Sequence, residues 1–305
     1  MGGEATTQVG QVAKRKGLSD HRLAKLFVAP SVVVMALVAL FPVMYAAVIS
    51  FALYIGRTQQ GVGVANYVQA LTDNRFWAAV IATFVFTVTS VAAEFLIGLG
   101  FALIMNQAFR GRGLTRATIL IPWVIPTVVA GTMWQYMFNV TPGTVNFFLP
   151  FVPASFNWIG QPGWAMFSMV FADVWETAPF VALLLLAGLQ TIPAEVYESA
   201  RVDGATAWQR LTRITLPLLK PAILVALLFR TTEALRVFDL PYVMTNGQFG
   251  TTTLSVLVHE FVVQTADPGY ASALSTLTFA IVLGIGVIFV SLLGRDLVLP
   301  GTQEE

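Results

Sequence analysis

Five ionisable side chains lie inside two otherwise apolar stretches of this sequence. Asp173 and Glu176 occur in one stretch, and Arg230, Glu233 and Arg236 occur in or beside the other. If these stretches cross a bilayer, each charge that faces lipid costs roughly 2.5–3.5 kcal/mol. The five groups are therefore predicted to face one another or a water-filled path, where carboxylates accept hydrogen bonds and guanidinium groups donate them.

A spacing of three residues places these groups on common helical faces. Two interpretations remain open. In the first, these polar helix faces contact a hydroxyl-rich solute, and Phe180 packs on an apolar ring face of that solute. In the second, Asp173 or Glu176 pairs with Arg230 or Arg236 only to hold the helices together. The predicted substrate-binding residues are Asp173, Glu176, Thr177, Phe180, Arg230, Glu233 and Val237.

The composition requires a membrane. Of 305 residues, 56% are hydrophobic and 11% charged, whereas soluble domains average roughly 25% charged. A spanning helix needs about 20 mostly apolar residues, and six stretches qualify, so we predict an all-α membrane protein with six transmembrane helices. Prolines inside several stretches predict kinked helices. The stretches are the run between residues 25 and 57, and residues 76–106, 117–138, 164–190, 222–240 and 271–293.

The distribution of Lys and Arg predicts the orientation. Short cytoplasmic segments carry the excess of positive charge, and the counts place the N-terminus and the C-terminus in the cytoplasm. Residues 1–25 are predicted to be a cytoplasmic segment, of which 1–13 are disordered, residues 26–298 the membrane domain, and residues 299–305 a cytoplasmic tail. The uncharged loop 139–163 is predicted to be a compact cap at the outer interface.

The longest water-facing segment is the cytoplasmic loop 191–220. Pro193 suits the first turn of a helix, and residues 194–203 are predicted to form a short helix that Gly204 ends in a left-handed cap. This helix either offers a rigid docking surface to a soluble partner or rests on lipid headgroups.

A second helix is predicted to follow this short helix directly. Thr206 and Gln209 have the spacing of a capping box, so the helix should start there. It should run into the membrane until Pro217 and Pro221 disturb it.

Within this loop, Glu198, Ser199 and Ala200 are followed by Gly204 and, further on, by Ile214, Leu216 and Pro217. This spacing resembles the "EAA" signature of permease subunits of binding-protein-dependent ATP-binding-cassette (ABC) importers. Ser199 replaces the usual alanine, which exchanges one small residue for another. The Asp203-Gly204-Ala205 triplet is similar to the carbohydrate branch of these importers.

The resemblance extends from about residue 29 to 293 and implies a type I ABC importer permease fold in a bacterial plasma membrane. Other matching features are Asn66-Tyr67, residues 143–146 and residues 245–247. They resemble the first of two non-identical permeases, the maltose-permease F type, and among sugar importers the trehalose permeases of mycobacteria. The implied partners are a second permease, two ATPase subunits and an extracytoplasmic sugar-binding protein. The implied substrate is a di- or oligosaccharide, for which trehalose is a candidate.

The resemblance also implies a role for the loop. The short helix would seat in a groove of an ATPase subunit and carry its closing motion to the spans, as a coupling helix. The residues expected to couple to the ATPase are Glu195, Glu198, Ser199, Ala200, Arg201, Asp203 and Gly204.

The chain itself is expected to be a transport subunit without enzymatic activity. None of its four lysines sits in a GxxxxGK[ST] loop, so ATP and Mg²⁺ should be bound by the partner ATPases, and no cofactor is expected here. No metal is expected, because His21 and His259 lie far apart in sequence; the His259-Glu260 pair is read as part of a solvated outer loop. A net charge of +1 gives no reason to expect nucleic acid.

The main alternative is a secondary, proton-coupled transporter. It would use Asp173, Glu176 and Arg230 as a proton relay, and it predicts an inverted repeat, which the sequence does not display. An intramembrane enzyme is a third class, but no nucleophile or dyad pattern is present. Glu94, a lone acid in the second stretch, is predicted to hydrogen-bond a neighbouring helix, and Asp239 and Asn246 are placed near the outer mouth.

Overall fold

The structure is a computed structural model that describes residues 20–55, 58–141, 143–265 and 267–297. Contacts divide the chain into two compact units, which meet in sequence between Ala46 and Ala47. The predictions for residues 1–13 and for the tail 299–305 lie outside the described residues.

The first unit is a helical run that continues beyond Ala46. Its apolar part, Phe27–Ile49, has 23 residues and a mean hydropathy of 2.7, which is long and apolar enough for one crossing. The run consists of α1 (Asp20–Met35), a π-helical turn (Ala36–Leu40) and α2 (Phe41–Ile49).

The second unit is almost entirely helical, apart from one antiparallel hairpin. It contains β1 (Ala52–Ile55), β2 (Thr58–Val62), α3 (Ala65–Thr72), α4 (Asn74–Asn106), α5 (Arg112–Val124), α6 (Thr127–Phe138), α7 (Thr144–Phe148), α8 (Trp164–Leu189), α9 (Ala194–Val202), α10 (Ala207–Arg210), a π-helical turn (Leu211–Thr215), α11 (Leu216–Ala234), α12 (Asp239–Thr245), α13 (Leu254–Val263) and α14 (Pro268–Leu297).

The hairpin was not predicted, because its strands are short and carry no clear alternation. Asn66 holds the hairpin to the start of α3. Its side-chain amide donates to the carbonyl oxygens of Ser50 at 2.9 Å and Ala52 at 2.8 Å. This contact gives a structural role to the Asn66-Tyr67 pair that was noted in the sequence.

Among the residues that the structure describes, five helical runs are long and apolar enough to cross a membrane, and α5 with α6 forms a sixth when the two are counted together. The predicted third span over residues 117–138 is broken where α5 and α6 meet at an angle of 90°, a sharper bend than the kink that its prolines predicted. Pro126 explains the break. The residue before a proline is driven into the extended region, and Ile125 has a ψ of 131°.

The fifth span was also placed incorrectly. It covers Ala207–Ala234 instead of residues 222–240, and the prolines do not interrupt it. A π-helical turn ends just before Pro217, which occupies one of the first positions of α11. The missing N–H of a proline costs little at such a position. After Ala234 the chain turns and begins the separate helix α12.

The core of the second unit lies where α4 packs along α8. Gly98 permits this close approach, since a Cβ added there would lie 2.8 Å from the Cβ of Val181. Because this distance is shorter than side-chain carbons tolerate, any larger residue would push the two helices apart. The packing brings polar side chains of both helices into the interior.

The loop 139–163 folds on itself, as its prolines and aromatic residues predicted. Trp158 donates from its indole N–H to the side-chain oxygen of Asn146 at 2.6 Å. The amide of Asn146 in turn donates to the carbonyl oxygens of Ala154 and Phe156. A buried polar centre therefore organises this loop.

The reading of His259 and Glu260 as part of a solvated loop is wrong. Both residues lie on α13. The imidazole of His259 packs against Phe238 and Tyr242, with ring centroids 5.2 Å and 4.9 Å away. Glu260 accepts a hydrogen bond from Arg75 at 2.6 Å.

Candidate functional site

Arg230 is the centre of a buried ionic cluster. Its Nε donates to Oε2 of Glu94 at 2.6 Å, and its Nη2 donates to Oε1 of the same carboxylate at 2.9 Å. Two parallel hydrogen bonds of this kind hold a guanidinium in one orientation. Glu94 is fully buried on α4, and the prediction that it bonds a neighbouring helix is confirmed.

Two further carboxylates complete the cluster. Nη2 of Arg230 lies 3.3 Å from Oδ2 of Asp173 on α8, and Nη1 lies 2.6 Å from Oε2 of Glu233 on α11. Arg236 does not take part and donates to the backbone oxygen of Thr232. One guanidinium thus links acids from three helices. The contact between Asp173 and Arg230 is a pair that the second interpretation of these charges expected, whereas the contacts of Arg230 with Glu94 and Glu233 were not part of it.

The same cluster forms one wall of a cavity. The cavity lies where α8, α11 and α12 meet the start of α6, and its volume is about 160 Å³. The side chain of Glu233 is 64% exposed, so it reaches the solvent of the cavity while it pairs with Arg230. The lining consists of Thr127, Asp173, Thr177, Arg230, Glu233, Ala234, Arg236, Val237, Phe238, Asp239 and Leu240.

Five of the seven predicted substrate-binding residues line this cavity. Glu176 and Phe180 are outside its described lining. Oε1 of Glu176 accepts a hydrogen bond from Thr127 at 2.7 Å, while its Oε2 is buried without a hydrogen-bond partner among the residues that the structure describes. Phe180 packs between the rings of Trp123 and Phe229.

Thr127 and Phe238 of the lining were not predicted from the sequence, and Arg236 was predicted as one of the five charged groups but not as a substrate-binding residue. Thr127 enters the site because the chain breaks at Pro126 and starts α6 beside α8, and the proline was the signal available. Arg236 and Phe238 enter because the fifth span ends at Ala234 and the chain bends back over the cavity. Their position depended on the span boundary that was predicted incorrectly.

The loop 191–220 has the predicted local structure. α9 runs from Ala194 to Val202, and Gly204 follows with a φ of 77°. The backbone N–H of Ala205 donates to the carbonyl of Ala200 at 2.9 Å, which closes the end of the helix. The capping box of Thr206 and Gln209 is present with both of its hydrogen bonds.

Side-chain contacts tie α9 to the start of the membrane span. The hydroxyl groups of Tyr197 and Thr215 lie 3.1 Å apart. Nη1 of Arg210 donates to the carbonyl of Ala205 at 2.6 Å, across the turn between the two helices. Ala200 is buried on the inner side of α9. These contacts join α9, α10 and the following π-helical turn into one hydrogen-bonded helix–turn–helix unit, residues 194–215, which we call the braced elbow.

The exposed surface of this elbow combines charged and apolar groups. Val202 is 88% exposed and Trp208 is 71% exposed, and neither was selected from the sequence. Large apolar side chains that are exposed beside charges are typical of a protein-binding surface. The charged residues of α9 and its C-cap, Glu195, Glu198, Arg201 and Asp203, are all exposed.

Comparison with known proteins identifies the class to which this arrangement belongs. A bundle of apolar helices with a charged interior cavity and a braced surface elbow defines a membrane transport subunit. Residues 94–298 match the family described as binding-protein-dependent transport system inner membrane component, and the chain belongs to this family. It is a multi-pass inner-membrane permease subunit of an ABC importer.

Individual relatives share most of the chain. The trehalose/maltose transport system permease protein MalF of Thermococcus litoralis is 46% identical over 231 residues, which are 75% of this chain and 78% of that protein. The trehalose transport system permease protein SugA of Mycobacterium tuberculosis is 40% identical, over 91% of this chain and 90% of that protein. The sulfoquinovosyl glycerol transport system permease protein SmoG of Agrobacterium fabrum is 38% identical, over 90% and 92%.

Solved structures show the same fold. A chain of a bacterial ABC transporter involved in the import of the acidic polysaccharide alginate superposes with a TM-score of 0.79 at 24% sequence identity, covering 90% of this chain and 96% of that one. The predicted type I importer permease fold is confirmed. Family membership supports the interpretation as an ABC importer permease and gives no support to the alternative of a proton-coupled transporter.

Proposed function

We propose that this permease carries a neutral, hydroxyl-rich di- or oligosaccharide, such as trehalose, through the cavity beside Arg230. The observation that supports the proposal is the charge around the cavity. Carboxylates outnumber guanidinium groups in its lining, which contains Asp173, Glu233 and Asp239 but only Arg230 and Arg236. Glu94 is buried behind the lining and adds a further negative charge beside Arg230.

This charge balance favours neutral sugars over anionic ones. Carboxylates accept hydrogen bonds from sugar hydroxyl groups, whereas they repel a sulfonate, a phosphate or a uronate in a site shielded from water. Relatives of similar identity are named for trehalose or maltose and for sulfoquinovosyl glycerol. Overall identity therefore does not decide the substrate, and the proposal relies on the charge of the cavity instead.

We further propose that the braced elbow docks on an ATPase subunit. Val202 and Trp208 would fill a groove of that partner, and Glu198 and Arg201 would pair with charges at its rim. The other coupling residues proposed from the resemblance are Glu195, Ser199, Ala200, Asp203 and Gly204. Because the elbow is hydrogen-bonded to the base of α11, motion of the ATPase would reach the cavity through that helix.

The proposed assembly contains this chain, a second permease, two ATPase subunits that bind ATP and Mg²⁺, and an extracytoplasmic binding protein that delivers the sugar. The elbow and both termini face the cytoplasm in this arrangement, in accord with the excess of Lys and Arg on that side. Permeases of this class work with such partners, and the individual partner proteins of this chain are part of the proposal.

The test is ATP-dependent uptake of radiolabelled trehalose by the complete assembly in proteoliposomes. Glu233→Gln should lower uptake about tenfold and leave assembly intact, because this carboxylate is largely exposed to the cavity. Glu260→Gln is the matched control, since it removes an acid paired with an arginine outside the cavity. Unchanged uptake in Glu233→Gln would leave the cluster with a purely structural role and contradict the proposal.

A further inference from the structure

The cavity beside Arg230 is too small to enclose a whole disaccharide. Its volume is about 160 Å³, whereas pockets for drug-sized ligands usually measure roughly 300–1,000 Å³. A di- or oligosaccharide bound there must therefore extend into neighbouring space. This step rests on the proposed function.

A second cavity lies directly beside the first. Its volume is about 410 Å³, and Arg236 and Phe238 line both cavities. The other walls come from α13 and α14. The two cavities therefore adjoin at the side chains of Arg236 and Phe238.

The lining of the second cavity has the chemistry of a sugar subsite. Phe238 and Phe279 provide apolar surfaces on which the C–H face of a pyranose ring can pack, while a few polar groups face the same space. The hydroxyl groups of Ser275 and Thr278 donate to backbone oxygens one turn earlier in α14. Each hydroxyl oxygen keeps a lone pair to accept a hydrogen bond from a sugar hydroxyl.

His259 is the most informative polar group of this lining. Its imidazole is held by the rings of Phe238 and Tyr242, and within the described part of the chain no residue is hydrogen-bonded to either ring nitrogen. A neutral imidazole offers one N–H donor and one acceptor, which suits the paired hydroxyl groups of a sugar. The ring contacts fix its orientation, so the side chain is already ordered before a ligand arrives.

We infer that this second cavity is a sugar subsite, contiguous with the cavity beside Arg230, that receives the second ring of the transported disaccharide. His259 and Arg236 bond its hydroxyl groups, Phe238 and Phe279 pack on its apolar face, and Ser275 and Thr278 accept from it. The first ring occupies the charged cavity. The two cavities together provide the space that one alone lacks.

Two variants of the complete assembly in proteoliposomes test this subsite. His259→Phe keeps the ring packing and removes both nitrogens, and the double variant Ser275→Ala/Thr278→Val removes both hydroxyl groups with little change in volume. Trehalose uptake is measured with the binding protein saturated with sugar, so that the affinity of that separate protein for trehalose does not affect the measured uptake. Each variant should lower uptake about fivefold, the effect of losing one or two hydrogen bonds to neutral groups.

Thr276→Val is the matched control, because Thr276 makes the same type of backbone hydrogen bond on α14 and lies outside the second cavity. It should leave uptake unchanged. An equal loss in the control would assign the effect to α14 packing and overturn the subsite, and so would full uptake in both test variants.

The two proposals fail in different ways. If Glu233→Gln lowers uptake and His259→Phe does not, the subsite is wrong and the proposed function stands. If the unmodified assembly takes up no trehalose, the proposed function itself fails.

Discussion

Arg230 contacts three carboxylates that belong to three different helices. Its bidentate partner Glu94 is 136 positions away in sequence, so no helical spacing relates the two residues. Removing both members of a buried ion pair is often tolerated, whereas removing one leaves a buried charge without compensation and costs about 3–5 kcal/mol. Arg230 is therefore needed for stability even where its other acids face the cavity.

Arg230→Met should lower the free energy of unfolding by about 3–5 kcal/mol, because Glu94 then remains buried and unpaired. The double variant Glu94→Gln/Arg230→Met should lose clearly less. Thermal unfolding of the purified assembly in detergent, followed for both variants and for Glu94→Gln alone, measures the coupling between the two residues. Additive losses would show that the pair does not interact in the assembled protein.

Gly204 is constrained by its backbone alone. Its φ is 77°, and a Cβ added there would meet no atom within 4 Å. Gly204→Ala should therefore cost about 1 kcal/mol of local stability and loosen the elbow, whereas Gly204→Asn should cost less because asparagine tolerates this region. Uptake per ATP hydrolysed is the measurement, and we expect a lower ratio for alanine than for asparagine. An equal ratio in both variants would show that the left-handed cap at Gly204 does not affect the coupling of ATP hydrolysis to uptake.

At the scale of elements, α9 and the start of α10 present Val202 and Trp208 to water. Trp208→Ala should leave the fold of the permease intact and reduce the amount of ATPase that co-purifies in mild detergent by about tenfold, since central aromatic residues dominate many interfaces. Phe147→Ala is a suitable control, because Phe147 is 81% exposed on α7. A similar reduction in the control would point to a general effect of lost apolar surface.

The elements differ in how far their sequences predict them. The cap at Gly204 and the capping box at Thr206 were predicted correctly because each depends on residues within a few positions. The ends of the fifth span were not, because the π-helical turn before Pro217 and the bend after Ala234 depend on packing against other helices. The same limit applies to the cavity. Its charged residues on the helix faces were predictable, whereas Phe238 and the place of Arg236 in the lining were not.

At the scale of the whole molecule, the charge of the cavity should select among sugars. The assembly without its binding protein should be stabilised against heat by millimolar trehalose and not by trehalose 6-phosphate, because bound ligand raises the melting temperature and the carboxylates repel a phosphate. Glu233→Gln should reduce the difference between the melting temperatures measured with trehalose and with trehalose 6-phosphate. Equal stabilisation by both sugars in the unmodified assembly would contradict this selectivity.

The helical run Ala207–Ala234 has 28 residues and joins the elbow to the ionic cluster. Arg230 stands 23 residues above its foot, about 35 Å at 1.5 Å per residue. If the run tilted as a rigid body by about 5° about its first residue, the guanidinium would move by about 3 Å. Glu94 lies on a different helix, so a displacement of that size would break both of its hydrogen bonds with Arg230. A transport cycle that tilts this helix would then have to open and re-form the ion pair at every turnover.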